Sequence, residues 1–327
     1  MTESLDKVPR FLLQQMKRIK SIDVTLRDGG YRNNFDFDEG YIDTHVQSVS
    51  TAGVDIIEIG YRNGPQKNRS GIGVTGRCEN DFLERVTQIQ SSAQICVIAH
   101  PHNISRPDID DMVQLGVSVL RICCTEKNLD DATSLVQYAR EKGMLVCGNL
   151  TQISKLDIHK ALSISKRISA AGAHVLYLAD SNGSLQPKRL KTLVESVLEY
   201  TDAEIGFHAH DHLNLAMVNS IAAVESGATY IDGSLFGVGK GAGNLRLETW
   251  LLYVEKRFSC KFDLAPLLKQ AALLPNLILS NVGENDVLDI VCANFDISMD
   301  ERNKFNIGSS DISEILDNAQ NYEKLSA

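Results

Sequence analysis

The sequence predicts a single (β/α)8 barrel, an α/β fold, on three observations. Short runs rich in β-branched residues alternate with longer amphipathic runs, which implies a parallel sheet joined by helices. Eight such units fit into about 250 residues, the usual size of a closed barrel. Glycine stands just before five of the strand runs, where it can end the preceding helix in a left-handed turn. These glycines are Gly53, Gly116, Gly143, Gly172 and Gly227.

The strand runs follow one another along the chain at 19–26, 54–60, 94–99, 117–123, 144–147, 174–179, 203–208 and 229–232. Helical spacing of apolar residues fills connections at 129–142, 156–171, 188–200 and 213–226. An open, doubly wound sheet is the alternative fold. That fold needs a G-x-G-x-x-G loop after its first strand, and the residues found there, 27–34, read RDGGYRNN.

The barrel accounts for residues 19–257 and leaves a flank on each side. Residues 1–18 are predicted to form an N-terminal helical segment, and the basic residues near it form a solvated helix face. Residues 258–327 are too few for a large second domain. Helical spacing at 263–274 and 310–325 predicts a small helical cap or a contact between copies of the chain, so we expect a homo-oligomer.

Composition narrows the compartment and the partners. The 327 residues carry a net charge of −9, which disfavours a nucleic-acid partner. The seven cysteines are odd in number and show no C-x-x-C spacing, as expected in a reducing compartment. The N-terminus has no apolar signal region, and no apolar run is long enough to span a membrane. We therefore expect a cytoplasmic protein.

A pair of histidines is the strongest sign of chemistry. His208 and His210 stand two residues apart at the end of the seventh strand run, so both imidazoles point into the barrel mouth. Two imidazoles and a carboxylate are a common ligand set for a divalent metal. Asp28 can supply the carboxylate, because only the eighth strand separates the first and seventh around the ring. The sequence thus predicts a metal site, the alternative being two hydrogen-bonded core histidines.

Other polar residues fall at further strand ends, where barrel enzymes place their active sites. Arg27 beside a metal would put positive charge next to an enolate oxygen, and Glu58 would orient it through a bidentate pair. A structural buried ion pair is the alternative for these two. The glycine-rich residues 237–244 are a phosphate cradle or a lid, and Asn244 is a fourth ligand or a donor behind the ligands. Candidate substrate contacts are Arg121, Asp180, Ser181 and Gly239.

Three more histidines lie near these ends. His100 and His102 repeat the H-x-H spacing after the third strand run, but Pro101 interrupts the strand geometry between them. We interpret both as loop or substrate-lining residues rather than metal ligands. His212 is expected to begin the helix after the seventh strand, where capping suits it better than ligation.

Five motifs occur in the order typical of the DRE-TIM metallolyases, and the sequence resembles that superfamily over residues 20–257. The superfamily includes 4-hydroxy-2-oxovalerate aldolases, hydroxymethylglutaryl-CoA lyases, isopropylmalate synthases and homocitrate synthases. The short glycine-rich loop and the total length resemble the first of these. The motifs are 23–29 (DVTLRDG), Glu58, Asp180-Ser181, 208–211 (HAHD) with Asn214, and the glycines from 237 with Asn244.

The resemblance implies roles for the candidate residues. Arg27 would stabilise the enolate, and Glu58 would support Arg27. The implied metal is Mn²⁺ or Mg²⁺, with Zn²⁺ or Co²⁺ sometimes accepted. Related aldolases also form complexes with an aldehyde dehydrogenase that consumes their product. The implied metal ligands are Asp28, His208 and His210, with Asn244 near or on the metal.

One position departs from the aldolase branch. Tyr31 stands where that branch has a histidine that acts as general base. A phenol has an ordinary pKa of about 10, so it is a poor base at neutral pH unless the metal lowers that pKa. Either Tyr31, a metal-bound water or another residue accepts the proton, or the substrate differs.

Three functions remain open at this point. The first is a metal-dependent aldolase, a carbon–carbon lyase, acting on 4-hydroxy-2-oxo acids through a pyruvate-type enolate, with Tyr31 among its catalytic residues. The second is a condensing acyltransferase that uses an acyl-CoA, although no thioester-binding surface is visible in the sequence. The third is a non-catalytic barrel, suggested by Tyr31 and opposed by the complete metal set.

Overall fold

Eight parallel strands close into a barrel in chain order, with the first strand paired to the eighth. The computed structural model describes residues 18–65, 71–277, 286–298, 300–304 and 316–322. The predicted (β/α)8 class is confirmed, and each predicted strand run contains or overlaps one strand. The strands are β1 (Lys20–Asp23), β2 (Ile56–Tyr61), β3 (Gln94–Ala99), β4 (Val119–Cys124), β5 (Leu145–Leu150), β6 (Val175–Asp180), β7 (Glu204–Ala209) and β8 (Tyr230–Gly233).

Helices surround the barrel and occupy most of the connections. The four helices predicted at 129–142, 156–171, 188–200 and 213–226 are confirmed, each end lying within three residues of the prediction. Their apolar faces pack on the outer surface of the strands in one continuous core. The helices are α1 (Thr25–Asp28), α2 (Glu39–Ala52), α3 (Val74–Arg77), α4 (Asn80–Thr87), α5 (Arg106–Gln114), α6 (Leu129–Glu141), α7 (Ile158–Ala170), α8 (Pro187–Tyr200), α9 (Ala216–Glu225), α10 (Leu247–Phe258), α11 (Leu264–Leu277) and α12 (Asp286–Asn294).

The glycines that precede the strands adopt the conformation expected of them. Their φ angles lie between +87° and +106°, a region where other residues are strained. Each therefore ends a helix and turns the chain toward the next strand, as the sequence predicted. The five are Gly53, Gly116, Gly143, Gly172 and Gly227.

The barrel interior has an apolar layer and a polar layer. Ile56 and Val119 belong to a compact apolar cluster inside the barrel. Two residues further along the same strands, on the same inward face, stand Glu58 and Arg121, both fully buried. The strand period of two thus carries charged side chains toward the C-terminal ends of the strands.

The first strand is shorter than its apolar run predicted. β1 ends at Asp23, whose carboxylate accepts hydrogen bonds from the Thr25 backbone N–H (3.3 Å) and hydroxyl (2.5 Å). This local turn competes with the strand ladder, and the chain passes directly into α1. Arg27 and Asp28 therefore lie on one helical turn above β1 rather than on the strand itself.

The C-terminal region both supports the barrel and reaches its mouth. Helix α11 packs against α2, and the Asp263 backbone N–H donates to the Ala52 carbonyl at 3.2 Å. After α12, the Asp296 carboxylate accepts from the Asn182 amide (2.8 Å) and the Ser184 hydroxyl (2.6 Å) beyond β6. The described part of the C-terminal region thus contributes to the rim where the strands end.

Two predicted helical segments fall largely outside the described residues. Residues 1–17 of the N-terminal segment are not described, and of the segment at 310–325 only 316–322, which are helical, are described. Within the described ranges, no helix has both the length and the apolar character needed to cross a membrane.

Candidate metal centre and cavity

The three predicted ligands meet above the barrel. One ligand atom from each of Asp28, His208 and His210 lies within 4.8 Å of the other two, and all three residues are buried. The His210 Nε2 atom is 4.0 Å from Asp28 Oδ2. A distance of this size leaves room for a cation in contact with both atoms, since metal–ligand bonds are about 2.0–2.2 Å long. The prediction that these side chains converge is confirmed.

Each imidazole is held by its second nitrogen. His208 Nδ1 lies 3.0 Å from Asp232 Oδ2, and His210 Nδ1 lies 3.2 Å from the Gly243 carbonyl oxygen. In both rings the remaining Nε2 is then the atom with a free lone pair, as a metal ligand requires. Burial is the largest cause that lowers the pKa of His210 well below its usual value, so this ring is neutral.

Asp28 is held ionised by its neighbours. Burial by itself would raise the pKa of this carboxyl group, but Arg27, His210 and His208 outweigh it and hold the pKa well below its usual range. Asn244 Nδ2 donates to Asp28 Oδ2 at 2.7 Å. Within the described part of the chain, the buried Asn244 Oδ1 has no hydrogen-bond partner. An unsatisfied buried oxygen beside the three ligand atoms suits a fourth metal contact.

The glycine-rich loop is packed against these ligands. A Cβ atom on Gly239 would lie 2.4 Å from Asn244 Nδ2 and 2.7 Å from Asp28 Oδ2, so only glycine fits. Arg32 Nε donates to the Gly239 carbonyl at 2.8 Å, and Arg32 Nη2 donates to the Gly241 carbonyl. The loop therefore supports the metal ligands from behind, a role that neither the cradle nor the lid interpretation included.

A chain of ion pairs connects the arginine beside the site to a metal ligand. Arg27 Nε lies 2.5 Å from Glu58 Oε1, and Arg27 Nη1 donates to Asp28 Oδ1 at 2.6 Å. Glu58 Oε2 lies 2.7 Å from Arg121 Nε, and Arg121 binds both carboxylate oxygens of Asp232 at 2.5 and 3.0 Å. The expected bidentate pair between Arg27 and Glu58 is wrong, because Glu58 divides its two oxygens between two arginines.

A cavity of about 380 Å³ opens above the candidate metal centre. Arg27 lines it, with its guanidinium 6.0 Å from the Tyr61 ring centroid, and Tyr61 stacks on His100 with ring centroids 5.8 Å apart. Lys240 from the glycine-rich loop and Asp300 from the C-terminal region form an ion pair at the mouth. The cavity wall also includes Tyr31, Cys123, Asn149, Thr151, Ser181 and Ser298.

Tyr31 lies in this wall as an intact phenol. Burial is the largest cause that raises its pKa, and the Lys240 ammonium, 5.3 Å from the ring centroid, only partly opposes that rise. The Tyr31 hydroxyl lies 3.3 Å from the Tyr61 hydroxyl. Near neutral pH, Tyr31 is therefore a hydrogen-bond donor or acceptor and a poor proton acceptor.

The four candidate substrate contacts lie in different places, and Ser181 is the one that lines the cavity. Ser181 lines the cavity, and its hydroxyl accepts from the Gln152 backbone N–H at 3.1 Å. Arg121 lies deeper in the barrel with its guanidinium 3.9 Å from the Tyr177 ring centroid. Asp180 accepts from the Ser184 and Leu185 backbone N–H groups at 3.2 and 3.0 Å. Gly239 faces the metal ligands.

Sequence reasoning missed some members of the site. Asp232 ends an apolar strand run, and a carboxylate at the end of a barrel strand is a pattern from which this residue could have been predicted. Lys240 lies within the glycine-rich loop and lines the cavity, and the sequence patterns did not single it out. His212 does not begin a helix, since α9 starts at Ala216, and its ring stacks on His210 at 5.4 Å. The helix starts later because Asp211 Oδ1 accepts from the Ala216 backbone N–H at 2.9 Å.

Comparison with known families agrees with this geometry. The HMGL-like family model matches residues 18–273, most of the chain. The chain belongs to the HMGL-like family. That family falls within the superfamily that the sequence motifs resemble, and the matched region spans the whole barrel and part of α11.

Two relatives of this HMGL-like chain illustrate the similarity. The 4-hydroxy-2-oxovalerate aldolase of Carboxydothermus hydrogenoformans is 31% identical over 242 residues, covering 73% of this chain and 71% of its own. The 4-hydroxy-2-oxovalerate aldolase of Chloroflexus aurantiacus is 32% identical over 235 residues, covering 71% and 68%.

Solved structures share the fold of this HMGL-like chain. The N-terminal domain of a candidate aldolase from Bacteroides vulgatus superposes with a TM-score of 0.79 at 29% identity, covering 91% of this chain and 99% of its own. The HMG-CoA lyase of Bacillus subtilis superposes with a TM-score of 0.69 at 18% identity, covering 83% and 97%.

Proposed function

We propose that the chain is a divalent-metal-dependent aldolase that cleaves or forms 4-hydroxy-2-oxo acids through a pyruvate-type enolate. The observation that carries the proposal is the convergence of Asp28, His208 and His210 beside a fixed Arg27 at the floor of one cavity. The aldolase names of the relatives support this reaction over the condensing acyltransferase. The complete ligand set argues against a non-catalytic barrel.

The side chains present fit a divalent cation. Asp28, His208 and His210 would hold it, and the unsatisfied Asn244 Oδ1 suits a fourth contact. When bound, the cation supplies positive charge beside the 2-oxo and carboxylate oxygens of the substrate. Oxygen and nitrogen donors without a thiolate favour Mn²⁺ or Mg²⁺.

Arg27 supplies a second, permanent positive charge. Its contacts with Glu58 and Asp28 fix the plane of the guanidinium before substrate arrives. Cleavage of the C3–C4 bond leaves its electron pair on the pyruvate fragment as an enolate. A charge that is already oriented stabilises this enolate without the cost of reorganisation.

The remaining predicted residues receive supporting or contact roles. Ser181 and Tyr31 line the cavity, and we propose that they donate hydrogen bonds to the polar groups of the substrate. Arg121 is proposed as a positioning residue, because it joins Glu58 to the Asp232 that holds His208. Asp180 and Gly239 shape the loops around the site.

The proposal also includes a cellular location and protein partners. All seven cysteines are free thiols, which agrees with our prediction of a cytoplasmic location. A homo-oligomer and an aldehyde dehydrogenase partner stay predictions.

The decisive experiment offers short 4-hydroxy-2-oxo acids to the full chain with Mn²⁺ and measures pyruvate and aldehyde together. We expect the two products in equal amounts, and no release after chelation of the metal. A parallel reaction with acetyl-CoA and a 2-oxo acid should release no free thiol. Thiol release without aldehyde formation would contradict the proposal and favour the acyltransferase.

A further inference from the structure

His100 occupies the wall of the cavity that faces the candidate metal centre. It is the first residue after β3, and around an eight-stranded ring β3 lies opposite β7, which carries His208. Its ring stacks almost parallel on Tyr61, at an interplanar angle of 2°. His100, Arg27 and the metal ligands border the same cavity.

The His100 imidazole is neutral and makes no side-chain hydrogen bond to the described residues. Burial is the main cause that lowers its pKa to about 4, with Arg27 and Lys240 adding to the shift and Asp300 opposing it, so the ring is neutral near pH 7 but is a weaker base than a free imidazole. The His100 ring stacks on Tyr61 and also on His102, whose ring centroid lies 5.3 Å from that of His100. Among the described residues, His100 has no side-chain hydrogen-bond partner, so one nitrogen of the neutral ring keeps an unused lone pair.

Four other titratable groups on this side of the cavity, Tyr31, Tyr61, Cys123 and Asp300, are unsuited to accept a proton near neutral pH, whereas His102 is a second imidazole in the cavity lining. Burial raises the pKa of Tyr31 and of Tyr61, which keeps both phenols protonated. Burial also raises the pKa of the Cys123 thiol to about 12. The Asp300 carboxylate is paired with the Lys240 ammonium.

We propose that His100 is the general base of the aldolase reaction, in the role that the sequence left open at Tyr31. The inference rests on the proposed function. In the cleavage direction, a His100 ring nitrogen accepts the proton of the 4-hydroxyl group. The oxygen then forms the carbonyl bond of the aldehyde, and the C3–C4 electron pair passes to the enolate. In the forming direction, the imidazolium returns the proton to the new alkoxide.

The position of the hydroxyl on the substrate agrees with this role. The 4-hydroxyl stands two carbons beyond the 2-oxo carbon. A substrate whose 2-oxo and carboxylate oxygens faced a cation held by Asp28, His208 and His210 would place its 4-hydroxyl farther from those side chains. A base for that hydroxyl would then lie beyond the ligands, and His100 lines the cavity across the barrel from β7.

The test compares two reactions of the same Mn²⁺-loaded protein. Cleavage of 4-hydroxy-2-oxopentanoate requires removal of a hydroxyl proton, whereas decarboxylation of oxaloacetate gives the same pyruvate enolate without one. We expect His100→Asn to lower kcat for cleavage by about 10²–10⁴-fold, the usual contribution of a general base. Oxaloacetate decarboxylation should change by less than about threefold, because the enolate-stabilising groups are intact.

Two further variants separate catalysis from structure. Added imidazole should restore part of the cleavage activity of His100→Ala, since it supplies the missing base. His159→Asn is the matched control, because His159 is exposed at the start of α7, outside the cavity wall. Mn²⁺ affinity, measured by calorimetry, should be equal in wild type and His100→Asn.

Three results would overturn the assignment. Cleavage by His100→Asn within about threefold of wild type would exclude His100 as the base. Equal loss of cleavage and decarboxylation would indicate a structural role. If the wild-type protein decarboxylates oxaloacetate but cleaves no 4-hydroxy-2-oxo acid, the proposed function itself fails. If the wild-type protein cleaves such an acid and His100→Asn is fully active, only the assignment of His100 fails.

Discussion

One wall of the cavity, here called the metal wall, is formed by Asp28, His208 and His210, and the ionised Asp28 is paired with the Arg27 guanidinium. On the aromatic wall, formed by Tyr31, Tyr61 and His100, neutral rings contact one another and line the cavity. Burial affects the two walls differently. Ion pairs keep Asp28 ionised despite burial, whereas the rings of the aromatic wall are left neutral by it.

The difference separates two tasks. The metal wall supplies fixed charge for the enolate, which must be in place before reaction. The aromatic wall supplies a group that changes its protonation during reaction, which requires an uncommitted neutral base. Variants of the two walls should therefore fail in different ways, and the following predictions run from the largest expected effect to the smallest.

Replacing a ligand should remove the function of the metal wall. We expect Asp28→Ala to lower kcat for 4-hydroxy-2-oxo acid cleavage by more than about 10³-fold, because metal charge and its orientation are lost together. Oxaloacetate decarboxylation should fall as far. Calorimetry should show loss of Mn²⁺ binding with an unchanged circular dichroism spectrum, while the exposed Asp131→Ala serves as control. Full activity in metal-free Asp28→Ala would exclude the mechanism.

Arg27→Lys tests the fixed guanidinium. A lysine retains the charge but loses the planar contacts with Glu58 and Asp28, so the charge is no longer oriented. We expect kcat to fall by about 10²–10³-fold in both reactions, with Mn²⁺ affinity nearly unchanged. Equal activity of Arg27→Lys and wild type would show that a mobile charge suffices. Arg167→Lys, on an exposed ion pair of α7, is the control.

Gly239→Ala tests the support behind the ligands. The added methyl group would collide with Asn244 and Asp28, at 2.4 and 2.7 Å, and displace one of them. We expect Mn²⁺ affinity to fall about 10–100-fold, as for other contacts behind metal ligands. Activity at saturating Mn²⁺ should fall less. Gly40→Ala, on the exposed first turn of α2, is the control for the effect of an added methyl group. Equal Mn²⁺ affinities of Gly239→Ala and Gly40→Ala would contradict the role of Gly239 in supporting the metal ligands.

The smallest effect concerns stability of the aromatic wall. The pKa of His100 is lowered to about 4 in the folded state, against an ordinary value of about 6.5. The stabilisation from its neutral form is therefore complete above pH 6.5 and is lost as the pH falls toward 4. We expect the free energy of unfolding of His100→Asn to gain about 2–2.5 kcal/mol relative to wild type between pH 7 and pH 4.5. A pH-independent difference in denaturant titrations would show that His100 titrates normally.

The sequence by itself determined the barrel and the metal wall. Strand runs, helix-ending glycines and the spacing of His208 and His210 are local patterns, and each has a fixed geometric consequence on a strand or at a helix end. Since all eight strands of such a barrel end on one side, placing Asp28 near the histidines required only the strand order.

Tertiary structure decided how charges and protons are distributed. Glu58 divides between Arg27 and Arg121, and Asp232 joins that pair to His208, because inward side chains of distant strands share one interior. The neutrality of His100 depends on burial by neighbours from other elements, among them Tyr61. The partners of Glu58 and His208 and the burial of His100 come from residues far apart in the chain, so a local pattern does not predict them.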